Sequence, residues 1–127
     1  MVLVKPIGRR NPQDSASQER YYAHAVADGF TDLERLAYLV ANQCTVLEAD
    51  CLAVLNALQL NVMDELAQGR VVQLGTLGNF QVGVRSNPSD LEEEVSASNV
   101  RSAHVNFRPG KRIKKMLNTL DFKVSNV

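Results

Sequence analysis

The densest run of chemistry-bearing residues in this 127-residue sequence is cationic. Residues 100–127 hold Arg101, Arg108, Lys111, Arg112, Lys114, Lys115 and Lys123 against Asp121 alone. Ammonium and guanidinium groups at this density suit contact with a polyanion, a phosphate backbone among them. Residues 31–70 have the opposite bias, with Arg35 and Arg70 against Asp32, Glu34, Glu48, Asp50, Asp64 and Glu65. The formal net charge is zero, which by itself argues against a strong polyanion binder. The segregation of sign points instead to one cationic face.

Catalytic and metal-binding arrangements find no support. His24 and His104 are far apart and lack a Cys, Asp or Glu neighbour at ligand spacing. The glycines at 75 and 78 lack the pattern and helix context of a nucleotide loop and read as turn geometry. The acidic stretch 90–94 (Asp90-Leu91-Glu92-Glu93-Glu94) reads as a solvated loop. Cys44 and Cys51 do not make a disulfide framework and read as two buried thiols in a reducing compartment. No enzymatic activity, metal, cofactor or small-molecule substrate is expected. No apolar run approaches the roughly 18 residues of a membrane span. The N-terminus lacks the apolar stretch and cleavage site of a secretory signal.

The elements that must position the cations can be read in order. Residues 1–30 form an appendage, with strand-compatible stretches at 2–7 and 20–26 around a polar loop. Tyr21 and Tyr22 are apolar surface that a free tail would leave in water, and an added strand would cover a sheet edge. Two helices announce themselves by capping boxes, Thr31-Asp32-Leu33-Glu34 and Thr45-Val46-Leu47-Glu48. Behind the first, Leu33, Leu36, Ala37, Val40 and Ala41 recur at helical spacing. Behind the second, Cys51, Leu55, Leu58, Val62 and Leu66 do the same, as far as about Gln68 with Gly69 as the stop. This stripe, widened by Leu47 and Leu52, is more than one small subunit can enclose. From Val71 the period becomes two. Phe80, Val82 and Val84 form one alternating strand and Ala103, Val105 and Phe107 another. A polar, acidic excursion separates them. After Pro109-Gly110, residues 111 to about 120 make a last helix, with Ile113, Met116, Leu117 and Leu120 as its apolar edge.

Two segments in this order carry a resemblance. Gly69-Arg70-Val71-Val72-Gln73-Leu74-Gly75-Thr76-Leu77-Gly78-Asn79-Phe80-Gln81-Val82 and Phe107-Arg108-Pro109-Gly110-Lys111-Arg112-Ile113-Lys114 resemble the HU/IHF family of bacterial DNA-architectural proteins. The resemblance covers roughly 31–121. It implies an α+β, HU/IHF-like fold: two N-terminal helices, a three-stranded antiparallel sheet with an extended arm at about 86–100, and a short C-terminal helix, assembled as an intertwined homodimer. Residues 1–30 look like the N-terminal extension of a divergent Bacteroidetes-type branch, leaving 31–127 as the DNA-binding domain.

Taken with that resemblance, the cations imply low-specificity duplex DNA binding by a cytoplasmic, nucleoid-associated protein. Arg108, Lys111, Arg112, Lys114 and Lys115 would neutralise phosphates, and Gly110 would let the backbone approach where the last helix opens its unpaired N–H groups. Arg85 and Arg101 are secondary candidates, and Arg9 and Arg10 possible helpers. The excursion departs from the family pattern. Family arms are basic and place an apolar wedge near the tip, whereas here the middle carries Asp90 and Glu92 to Glu94, and Pro88 lies near the base. The alternative is an HU fold serving as a protein-interaction module with weak or no DNA binding.

Overall fold

The computed structural model describes residues 1–14, 16 and 18–125. Along the chain the elements are β1 (Val2–Arg9), β2 (Arg20–Val26), α1 (Leu33–Gln43), α2 (Glu48–Ala67), β3 (Val72–Gln73), β4 (Gly78–Ser86), β5 (Val100–Pro109), α3 (Lys111–Leu117) and β6 (Phe122–Val124). They fall into two compact units, one of residues 33–115 and one of residues 1–32 with 116–127.

In the larger unit α1 packs on α2. Most of the apolar line inferred for α2 faces inward: Cys51 is buried and Leu52, Leu55, Val62 and Leu66 are partly covered, while Leu58, in the same line, is exposed. Only Ala37 and Cys51 are buried apolar side chains among the described residues. Cys44 is exposed, so the expectation of two buried thiols holds for Cys51 alone. Cys44 lies beyond the end of α1, in the link between the helices, where no stripe covers it.

The start of α2 differs from the capping-box expectation. Its N-cap is Leu47, in extended conformation and without a side-chain hydrogen bond, so Thr45 does not cap the helix. Glu48 and Asp50 in the first turn answer the positive end of the helix dipole instead. The C-terminus forms as expected. Gly69 is left-handed, with φ 84°, its N–H donates to the Leu66 carbonyl at 2.9 Å, and that of Arg70 donates to the Glu65 carbonyl at 3.2 Å. This is a Schellman closure.

β3, β4 and β5 form an antiparallel sheet in that order. The register pairs Phe80 with Phe107, Val82 with Val105 and Val84 with Ala103, so the alternating apolar residues share one face. The Phe80 and Phe107 rings meet at 4.9 Å between centroids. The paired ribbon ends at Ser86 and Val100, and the segment between closes through two short 3-10 turns at Glu92–Glu94 and Ala97–Asn99. Asn99 pins this tip: its side-chain amide donates to the Asn87 carbonyl at 3.2 Å and to Ser89 Oγ at 2.7 Å. The tip of the excursion is thus a hydrogen-bonded loop, not a continuing two-stranded arm. Three adjacent glutamates and Pro88, which has no N–H to donate, are poor material for a ladder.

The smaller unit is a separate three-stranded sheet in the order β2-β1-β6. Both stretches form strands, as expected; they pair antiparallel with each other from Leu3 opposite Val26 to Arg9 opposite Arg20, and β1 is also joined in parallel by β6. The edge of β1 is therefore covered by the C-terminal segment, and the N-terminal strands do not extend the β3-β4-β5 sheet.

Candidate nucleic-acid interface

The junction between β5 and α3 is fixed by backbone contacts with the turn before β4. That turn is closed by the Leu74 N–H donating to the Gly78 carbonyl at 2.9 Å and the Leu77 N–H donating to the Leu74 carbonyl at 3.1 Å. Gly75 and Gly78 have φ of 57° and 137°, values that L side chains adopt only with strain. Across from it, the Gly110 N–H donates to the Leu77 carbonyl at 3.0 Å, and the Gly110 carbonyl accepts the first bond of α3, from the Lys114 N–H at 3.0 Å. A Cβ on Gly110 would lie 2.5 Å from the Thr76 carbonyl oxygen, and one on Gly78 would collide with that of Arg108. Two glycines thus let two main chains touch, and the contact sets where Arg108 ends its strand and where α3 begins.

From that anchor the cations fan outward. At about 100° per residue, Lys111, Lys114 and Lys115 fall within one arc of α3 with Arg112 at its border, opposite Ile113 and Leu117. All four cations and Arg108 are exposed, while Ile113 is partly covered. Among the described residues none of the five has a carboxylate partner; Arg70, by contrast, pairs with Glu65 at 2.7 Å. The helix is only seven residues long, ending at Leu117 and not near 120. So short a helix adds little macrodipole, and the potential here comes from the side chains.

The secondary candidates lie elsewhere on the ribbon. Asn79 opposite Arg108 and Arg85 opposite Ser102 mark two ends of one polar face, which also carries Gln81, Asn106 and His104. Six residues of strand separate those ends, about 20 Å. Arg85 therefore sits by the tip loop and away from the α3 group. Arg101 falls at the register shift between Arg85/Ser102 and Ser86/Val100, the extra residue of a bulge. Sequence reasoning passed over the polar face because Asn, Gln and His on a strand read simply as its solvated side. It also treated Arg9 and Arg10 as isolated helpers, although Arg9 has Arg20 directly opposite. Alternation of Lys5, Ile7 and Arg9 with Arg20, Tyr22 and His24 was the available signal.

Comparisons with known proteins agree with this architecture. Residues 4–124 match the HU-HIG family, described as an HU domain fused to wHTH, Ig, or Glycine-rich motif. No curated protein matches the sequence. A crystal structure of a candidate bacterial DNA-binding protein from Bacteroides vulgatus ATCC 8482 superposes with a TM-score of 0.67 at 14% identity, over 97% of this chain and 47% of that one. This chain thus spans about half the length of that structural relative. A mixed α+β chain, with three α-helices and two small sheets among its described residues and matched over nearly its whole length, belongs to the HU-HIG family of HU-like domains.

Proposed function

We propose that this chain binds duplex DNA with low sequence specificity, as a nucleoid-associated homodimer, through the surface running from Arg108 to Lys115. The observation that carries the reading is the exposed, unpaired cation group that Gly110 fixes to the turn before β4. Phosphate neutralisation supplies affinity without base readout, which accounts for the low specificity. Membership of an HU-like family and the fold shared with a candidate DNA-binding protein support the choice of DNA. The reading takes 31–127 as the DNA-binding body and 1–30 as an extension of the Bacteroidetes type, with β6 of the body completing the extension's sheet.

Unpartnered apolar surface supports the dimer. Val54, Leu60 and Met63 of α2 are 63%, 61% and 57% exposed. Val82, Val84, Val105 and Phe107, on one face of the β4–β5 ribbon, are exposed as well. Fully burying an exposed side chain of this kind is worth about 1.5–3 kcal/mol, so covering these half-exposed ones gains roughly half of that each, and a second copy wound around the first is the economical cover.

A mobility shift on duplex DNA across a salt series tests the proposal. Binding that ignores sequence and weakens with salt, along a shallow slope set by few phosphate contacts, is expected; no shift at low salt would remove it. The competing reading, an interaction module of the same fold, draws on the net charge of zero and the acidic turn at Glu92–Glu94, and it takes over in that case.

A further inference from the structure

The N-terminal sheet carries a second segregation of charge. In the β1–β2 register, Lys5 lies opposite His24, Ile7 opposite Tyr22 and Arg9 opposite Arg20. Opposed residues of an antiparallel pair project from the same face, so three cations and an imidazole share one side of the hairpin. The parallel pairing of Leu3 with Lys123 adds a further cation to that side. The opposite face has Val4, Pro6 and Gly8 against Ala25, Ala23 and Tyr21. Glu19, next to Arg20 in sequence, lies on this opposite face, because a Cβ on Gly8 would run into its side chain. The fold thus separates the carboxylate from the arginines.

Two arginines directly across a ladder repel each other. Among the described residues no carboxylate pairs with Arg9, Arg10 or Arg20. Arg9 Nη2 donates instead to His24 Nε2, at 3.4 Å. These groups line a cleft of about 600 Å³ together with Asn11, Gln18 and the half-exposed Tyr22, and no described lining residue is acidic. Forked guanidinium donors without a counterion, with amide side chains beside them, match the oxygens of a phosphodiester chain.

We propose that this face of the β2-β1-β6 sheet is a phosphate-binding surface, distinct from the one around α3, and takes backbone phosphates of nucleic acid. It rests on the proposed DNA-binding function for the choice of nucleic acid; the phosphate chemistry stands on the sheet alone.

Fluorescence anisotropy of a labelled duplex, titrated with wild type and with the Arg9→Ala/Arg20→Ala variant over a salt series, tests it. Both positions are exposed, so protection of the β1 and β2 amides should persist. The variant should bind about tenfold more weakly at low salt, with a log–log salt slope reduced by about one per lost phosphate contact. Affinity and slope equal to wild type would overturn the proposal. Should the variant lose its sheet, Arg10→Ala, just beyond β1, is the substitute, and an unchanged slope there counts equally against it. If wild type binds no duplex, the DNA-binding function falls separately, and pyrophosphate followed by NMR at Tyr22 and His24 decides the rest. A shift that the double variant abolishes retains the phosphate surface and removes nucleic acid as its ligand, and no shift overturns the surface too.

Discussion

The Gly110 N–H donates to the Leu77 carbonyl at 3.0 Å, a single bond that couples the turn before β4 to the first residue ahead of α3. Its neighbourhood has no room for side chains. Replacing Gly78 with Ala would place a Cβ against the Arg108 carbonyl at a φ of 137°. Strain of this kind costs about 1–3 kcal/mol, and displacement of the chain adds to it. Gly78→Ala should therefore lower the urea midpoint by an amount equivalent to about 2 kcal/mol or more. A change within about 0.5 kcal/mol, the usual range for surface substitutions, would mean that the two main chains do not approach this closely.

The exposed apolar residues of α2 and of the β4–β5 ribbon predict a dimer with no stable folded monomer. Sedimentation should give twice the chain mass at low micromolar concentration, and the thermal midpoint should rise with protein concentration. A compact monomer that melts cooperatively, at a midpoint independent of concentration, is the contrary result.

Much of the fold was legible in the sequence, and its failures have physical causes. Leu33 to Ala41 and Cys51 to Leu66 kept helical period, Gly69 stopped α2, and strict alternation identified β4 and β5, because each of these signals is local. The Thr45 box was misleading: a capping motif competes with whatever the preceding link requires, and here α2 starts at Glu48 with its own acidic first turn. The pairing of β6 with β1 was hidden for the opposite reason. Three residues, Phe122–Val124, carry no period worth reading, and their partner Val2–Arg9 lies more than a hundred positions away. Of the candidate interface, the identity of the cations was legible. That Arg85 stands a ribbon's length from Lys111, while Arg9 faces Arg20, required the register.

β6 predicts a specific exchange pattern. The Val2 N–H donates to the Asp121 carbonyl at 2.8 Å and the Ser125 N–H to the Val4 carbonyl at 2.8 Å. Truncation after Leu120 should speed amide exchange at Val2 while β4 and β5 keep their protection. Fast exchange across 1–30 in the full chain would contradict the N-terminal sheet itself.

Any bend imposed on DNA should be small. Kinking by an arm needs an apolar wedge between base steps, and unstacking costs on the order of a few kcal/mol that contacts along the arm must offset. Here the tip closes on Asn99, Pro88 lies next to the end of the paired ribbon, and Glu92–Glu94 face outward as an exposed acidic turn. Energy transfer between dyes at the ends of a short duplex should change little on binding. A change as large as that given by a basic-armed HU protein would mean the tip reorganises on DNA.

Charge reversal at the α3 surface tests the central claim most directly. Lys111→Glu/Lys114→Glu alters two exposed side chains and leaves the Gly110 contact in place. Binding measured against salt should weaken by a similar factor on unrelated duplex sequences, and the log–log slope should flatten by about one per lost contact. A double variant that binds as wild type does, at every salt concentration, would contradict the assignment of DNA binding to the surface from Arg108 to Lys115.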